Sequence, residues 1–190
     1  MPARKRKMPA LTFDAAFKYP FNRAKGMWNF LLIFLPIIGW FALSGYNIRI
    51  VKEFSNGKFK KLPKLNFNKD LKLGFFMFLK SLPFLLVYIA VIFLISLISP
   101  FLRILTIPFE LIAIPILYVH FFNNETMESL FEFKILKPIF NHLGEYLVIL
   151  LKSIALSLIF FVMWIVLVGF PAGMFTERIF IADFYRRYIK

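Results

Sequence analysis

The chain has 190 residues, of which 60% are hydrophobic and 19% aromatic. Soluble domains are about 45–50% apolar, so this composition predicts an integral membrane protein. The formal net charge is +14, and the chain contains no cysteine, which excludes disulfides, thiolate catalysis and cysteine-based metal sites.

The positive charge is concentrated near the N-terminus, in residues 1–26, and again in residues 46–73. A polybasic segment beside an apolar one usually faces anionic lipid and fixes the topology of the chain. We therefore expect the cytoplasmic face to bind anionic headgroups or a partner protein, and we regard nucleic-acid binding as the weaker alternative. The residues that carry this expectation are Arg4, Lys5, Arg6, Lys7, Lys58, Lys60, Lys61 and Lys64.

The pattern predicts an all-α, multipass membrane protein with a single domain over residues 1–190. Residues 1–26 are basic and interfacial, and residues 27–46 are apolar but interrupted by Pro36 and Gly39. A helix of nine residues before Pro36 covers about 13 Å, roughly half of a bilayer core. The segment therefore either re-enters or crosses once as a proline-kinked span. Re-entry is favoured because it keeps both basic segments on one side.

A basic cytoplasmic loop is expected over residues 47–73, followed by a transmembrane hairpin over residues 74–122. The hairpin is predicted to turn at Ser99-Pro100, because the two apolar runs are separated by a very short connection. Because the loop is cytoplasmic and the hairpin crosses the membrane twice, the hairpin is expected to begin and end on the cytoplasmic side.

The C-terminal part is predicted to contain an interfacial amphipathic helix over residues 123–145, ending near Pro138. Residues 146–187 are too long for one crossing and are expected to form a helix pair that bends at "GFPAG" (Gly169 to Gly173). Both termini would then lie in the cytoplasm. The second limb of the pair either crosses fully or penetrates only partway.

Two parts of the chain also resemble each other. "AFKYPFNRAKGMWNFLLI" (Ala16 to Ile33) is similar to "FEFKILKPIFNHLGEYLVIL" (Phe131 to Leu150). Each has Phe and Lys, then Pro, Phe-Asn, Gly and an aromatic residue that opens the apolar run. The pattern indicates either a duplicated unit or chance similarity in a chain rich in Phe and Lys.

Charged residues inside apolar segments are candidates for function. Glu110 lies between two prolines and could pair with Arg103 or Arg178, or serve in transport. Glu177 and Arg178 are adjacent, and we interpret them as an interface anchor. His120 is expected to be solvated or to cap a helix end.

The segments "FKYPF", "GYNIRIVKEFSNGKFKKLP" and "LGFFMFLKSLPFLL" resemble a family of small polytopic membrane proteins of archaea and bacteria that is catalogued as a domain of unknown function. The closing "ADFYRR" is also similar to it, whereas Glu177 and Arg178 depart from its more apolar pattern. The resemblance implies a multipass helical fold and carries no known active site. A more distant likeness is to the membrane region of some glycerophosphodiesterases.

No Gly-rich phosphate loop, His-Glu metal motif or nucleophile elbow occurs in the sequence. We therefore expect a non-enzymatic scaffold or accessory subunit of a larger complex in the cell membrane, without cofactor or metal. Its expected partners are membrane lipids and other membrane-protein subunits, and a homo-oligomer is compatible with this pattern. The alternative is a small oligomeric transporter or channel component.

Overall fold

The computed structural model describes residues 9–190, except for the side chain of Pro100. The predicted all-α class is confirmed: over these residues the chain forms helices and turns without a strand. The predicted basic residues Arg4, Lys5, Arg6 and Lys7 lie outside the described residues. The α-helices are α1 (Phe13–Lys18), α2 (Ala24–Met27), α3 (Ile38–Ser55), α4 (Phe67–Ile98), α5 (Arg103–Asn124), α6 (Lys137–Asn141), α7 (Leu143–Val162), α8 (Gly169–Thr176) and α9 (Ile179–Tyr188).

Three helices in the described chain are long and apolar enough to cross a membrane: α4, α5 and α7 with its 3-10 extension, Leu143–Val166. Their most apolar windows are only 6%, 33% and 17% buried inside the protein, respectively. Apolar helix surface that is left this exposed is suited to lipid rather than to water. The predicted membrane character is therefore supported by these three helices.

The protein core lies at one end of these helices. It is built from α3, α9, the C-terminal half of α5 and the N-terminal segment around α1, with further side chains from α4, α7 and α8. Aromatic side chains dominate it, and the largest of those that are fully buried include Tyr19, Tyr46, Tyr146, Phe54, Phe121 and Phe184. Outside this packed end, long apolar stretches of α4, α5 and α7 remain exposed.

Helices α3 and α4 are antiparallel, and their backbones touch at two glycines. A Cβ atom on Gly45 would lie 1.9 Å from the carbonyl oxygen of Asp70, and one on Gly74 would lie 1.9 Å from that of Phe41. Such close approach is open only to residues without a side chain. The pair Gly45–Gly74 therefore fixes how closely α3 and α4 can pack.

The first apolar segment reverses direction; we call residues 28–46 the first hairpin. A 3-10 segment, Trp28–Phe34, leads into a turn in which Ile37 has φ 64°, and α3 then runs back. The Trp40 indole N–H donates to the Ile33 carbonyl across the turn at 2.8 Å. A re-entrant segment requires this reversal, whereas a kinked span would continue onward.

A second hairpin, residues 143–176, has a turn of the same kind. Leu167 has φ 59°, and a Cβ on Gly169 would lie 1.9 Å from the Phe160 carbonyl oxygen. In the first hairpin, Gly39 likewise follows the residue of positive φ by two positions and would meet the Leu32 carbonyl at 1.9 Å. The two parts that are similar in sequence thus lead into turns of similar structure.

The structure differs from two expectations for the C-terminal part. Residues 123–145 do not form one amphipathic helix but two 3-10 segments, Met127–Leu130 and Phe133–Leu136, followed by α6. Pro138 lies in the first turn of α6, where a missing N–H costs no helical hydrogen bond, and so it begins a helix instead of ending one. The segment that follows the turn at Leu167 is not one helix, since it is divided into α8 and α9.

Candidate functional site

The basic loop is shorter than the predicted residues 47–73, because α3 continues to Ser55 and α4 begins at Phe67. The backbone of this loop, residues 56–66, is held in place by hydrogen bonds. Side chains from the N-terminal segment and from α3 reach into the loop and donate hydrogen bonds to its carbonyl oxygens. The lysine side chains of the loop are therefore carried on a fixed backbone and remain directed to the surface. The bonds run from Asn22 to Lys60 (2.8 Å), Arg23 to Leu62 (3.2 Å), Tyr46 to Pro63 (3.0 Å) and Arg49 to Lys64 (2.6 Å).

This loop lines a cavity of about 370 Å³. The cavity brings together all four loop lysines that the sequence predicts for anionic headgroups or a partner. Arg23 adds a fifth positive charge, and Glu53 is the acidic side chain in the lining. Such a concentration of one sign of charge in a concave site attracts anions. The lining lysines are Lys58, Lys60, Lys61 and Lys64.

Glu53 does little to neutralise this site. Its carboxyl is half-buried, and burial raises its pKa, while Arg49 and Lys58 act in the opposite direction. A raised carboxyl pKa means that the proton is retained to a higher pH than usual, so the negative charge is lost sooner on acidification. The net charge of the cavity lining is therefore strongly positive at neutral pH and increases as the pH falls.

Arg103 and Glu110 form an ion pair along one face of α5. The second guanidinium nitrogen, Nη2, lies 3.1 Å from Glu110 Oε2, and the Thr106 hydroxyl donates to Oε1 at 3.0 Å. Arg178 takes no part in this cluster. Of the alternatives that the sequence leaves open, the structure shows Glu110 paired with Arg103.

Glu177 and Arg178 lie at the break between α8 and α9. Their charged groups are 3.5 Å apart. The Arg178 guanidinium also lies against α5, at 5.4 Å from the ring centroids of both Tyr118 and Phe122. Arg178 thus connects the second hairpin to α5 through cation–π contacts.

The expectation for His120 is wrong. Its side chain is buried rather than solvated, and it bridges three elements of the fold. Nδ1 lies 2.8 Å from the Tyr185 hydroxyl on α9, and Nε2 lies 2.6 Å from Glu132 Oε2. The sequence offers no signal for this cluster, because Tyr185 is 65 residues from His120 along the chain.

A second buried polar cluster is centred on Asp183. Its carboxylate accepts from the Leu11 amide at 3.0 Å, from Arg186 Nη2 at 2.6 Å and from Arg187 Nε at 3.1 Å. Arg186 also donates to the Pro9 carbonyl at 2.7 Å. Asp183 therefore fixes the N-terminal segment to α9. In the sequence, Asp183 precedes Arg186 by three residues and Arg187 by four, a spacing that favours ion pairs on one face of a helix. This spacing was the available signal for the cluster.

Taken together, the fold and these clusters define an all-helical protein with membrane-type helices and a basic surface at its packed end. Residues 29–109 match the model of a family described as "Protein of unknown function (DUF4013)". The matched segment contains the first hairpin, the basic loop, α4 and the start of α5. The predicted resemblance to a family of unknown function is confirmed over these residues, whereas the likeness to glycerophosphodiesterases is not shown. No curated protein and no solved structure matches the chain.

Proposed function

We propose that this protein is a non-enzymatic integral membrane scaffold or accessory subunit whose basic face binds anionic membrane lipid. The observation that carries the proposal is the cavity lined by the four loop lysines and Arg23. Each basic residue near an anionic membrane surface contributes about 1 kcal/mol of attraction. Five such residues around one concavity outweigh the single carboxyl of Glu53.

The fixed backbone of the loop supports the proposal independently of charge. A loop that must order itself on binding loses affinity through conformational entropy. Here Tyr46 and Arg49 already hold the backbone at Pro63 and Lys64 before any anion arrives. Only the lysine side chains then have to be immobilised by a headgroup.

We place the packed end of the protein in the cytoplasm and both termini with it. Three contacts support the placement of these helix ends on one side of the membrane. Lys80 donates to the Glu125 carbonyl at 2.7 Å, and Lys52 pairs with the Glu125 carboxylate. Arg187 lies 3.1 Å from Glu145. These contacts gather the start of α7 and the end of α5 near the basic loop. The positive-inside rule then assigns this end to the cytoplasm.

Cysteine labelling tests this topology, because the natural chain has no cysteine. We expect Ala10→Cys and Asn68→Cys to react with a membrane-impermeant maleimide from the cytoplasmic side, since the first hairpin returns to its own side. Phe101→Cys, in the exposed turn between α4 and α5, should react from the outside. Labelling of Ala10→Cys and Asn68→Cys from opposite sides would show that residues 27–46 cross the membrane.

Lipid selectivity tests the basic cavity. We expect phosphatidylglycerol to raise the Tm of the detergent-purified protein in a saturable way, and phosphatidylcholine to do so much less. Changing Lys58, Lys60, Lys61 and Lys64 together to Gln should weaken the apparent affinity for phosphatidylglycerol at least about tenfold, because four favourable charges are removed.

The matched control for the lysine variant carries the same change in net charge at other exposed positions. It replaces Lys69, Lys72, Lys134 and Lys137 by Gln. If the control loses as much affinity as the loop variant, the attraction comes from overall charge and the proposed site is rejected. Retained affinity in the control, with loss in the loop variant, assigns binding to the cavity.

The alternative of a transport component gains no support from Glu110. Its carboxylate oxygens already accept from Arg103 and Thr106, so the group is engaged in a hydrogen-bonded ion pair. We therefore favour the scaffold.

A further inference from the structure

A second cavity, of about 500 Å³, lies between the two hairpins. Its walls come from α3 on one side and from the end of α8 and the start of α9 on the other, with Phe122 of α5 between them. Ring contacts join the hairpins around it, with centroids 5.8 Å apart for Phe30–Phe170 and 5.2 Å apart for Tyr46–Phe175. The volume is in the range of about 300–1,000 Å³ that small-molecule sites occupy.

The lining of this cleft is mainly apolar, with a few polar groups: Ser44, Asn47, Glu177 and Arg178. Asn47 Oδ1 is fully buried and has no hydrogen-bond partner within residues 9–190. Because this oxygen has no accessible surface, a headgroup in the cleft does not contact it. The charged groups of the lining that are open to a ligand are Glu177 and Arg178.

The charged pair Glu177 and Arg178, which also lines the cleft, is open to a ligand. The Arg178 side chain is 33% exposed and the Glu177 side chain 67% exposed, so neither is sealed off by their mutual contact. A guanidinium has five N–H donors, and one carboxylate cannot occupy all of them. The cleft therefore presents a cation able to bind a phosphate next to a carboxylate able to accept from a headgroup N–H.

The apolar side of the cleft is continuous with the surface that faces lipid. Trp40, which lines the cleft, is 55% exposed, and Ile37 and Ile38 beside it in the turn of the first hairpin are 64% and 55% exposed. Ile33 and Leu43 continue the apolar lining inward from this end. An acyl chain could enter from the bilayer along this path without crossing water.

We propose that the cleft binds a single phospholipid whose headgroup donates hydrogen bonds, such as phosphatidylethanolamine. Its phosphate binds Arg178, its headgroup N–H donates to the Glu177 carboxylate, and an acyl chain lies against Ile33 and Leu43. The site shares no lining residue with the basic cavity, so it does not depend on the function proposed above.

Fluorescence of Trp40 tests the site directly. Among the three tryptophans of the chain, Trp28 and Trp164 are first changed to Phe. Titration of this protein in detergent with phosphatidylethanolamine that carries brominated acyl chains should quench Trp40 saturably. Brominated phosphatidylcholine, which has a phosphate but no headgroup donor, should bind about 3–10-fold more weakly, as expected for loss of one hydrogen bond.

Glu177→Leu should abolish this headgroup preference, whereas Glu128→Leu, at another exposed position, should keep it. Without lipid, Glu177→Leu should be nearly as stable as the parent, because an ion pair whose carboxylate is 67% exposed contributes little. Quenching proportional to lipid concentration, equal quenching by both lipids, or an unchanged headgroup preference in Glu177→Leu would each overturn the proposal. Retained quenching in the loop lysine variant would separate this site from the basic cavity.

Discussion

Gly45→Ala and Gly74→Ala are each expected to destabilise the protein by about 3 kcal/mol or more, at the upper end of the effect of overpacking. A methyl group at either position would lie 1.9 Å from a carbonyl oxygen of the facing helix. Unlike a flexible side chain, a helical backbone cannot move aside, so α3 and α4 must separate along their whole contact. Thermal unfolding in mild detergent measures the effect.

The chain provides two matched controls for this substitution. Around Gly144 no atom lies within 4 Å of the Cβ position, and at Gly173 the nearest is the Phe160 Cβ at an ordinary 3.6 Å. Gly144→Ala and Gly173→Ala should therefore be neutral or slightly stabilising, because alanine favours the helix over glycine. Equal stability of all four variants would mean that α3 and α4 are not in backbone contact.

Asp183→Asn is expected to cost about 3 kcal/mol, since it removes the charged partner of a buried network while leaving the cations in place. Asparagine has nearly the same shape and can still accept from the Leu11 amide. Arg186 and Arg187 lose their shared carboxylate, although Arg187 keeps Glu145 at 3.1 Å. The loss should therefore appear in Tm and also as faster tryptic cleavage after Lys18, because the N-terminal segment is held through Leu11 and Pro9.

Asp14→Asn is the control for Asp183→Asn. Asp14 pairs with Lys18 one turn away on α1, and both side chains are mostly exposed. Exposed pairs of this spacing contribute about 0.3–0.5 kcal/mol. If Asp14→Asn changes the stability as much as Asp183→Asn does, the effect reflects net charge and not the buried network.

Local features of the sequence predicted much of the fold. The reversal near Pro36 and Gly39, the break after Ile98 and the second turn near Gly169 are all marked by proline or glycine between apolar runs. The start of α4 was not predicted, since residues 66–73 are polar and look like loop. Asn66 accepts from the Lys69 amide at 3.3 Å and caps the helix there. Hydropathy detects only the part of a helix that enters lipid.

The candidate sites were predictable only as far as their residues are close in sequence. The loop lysines fall within seven residues, from Lys58 to Lys64, and so could be recognised as a group. The bonds from Asn22 and Arg23 that hold this loop span 38 and 39 residues and depend on the tertiary fold. The cleft along α3 was missed for the same reason, because Glu177 and Arg178 reach it from the break between α8 and α9.

The length of α4 bears on how the protein fits bilayers of different thickness. At 1.5 Å per residue, its 32 residues extend about 48 Å, well beyond a hydrocarbon core of about 30 Å. The excess lies before Lys80, where α4 packs on α3, and Pro83 follows just beyond. Proline removes a helical hydrogen bond and permits a bend. We therefore expect hydrophobic mismatch to be accommodated by tilt of α4 beyond Pro83, while the Gly45–Gly74 contact and the basic loop keep their positions.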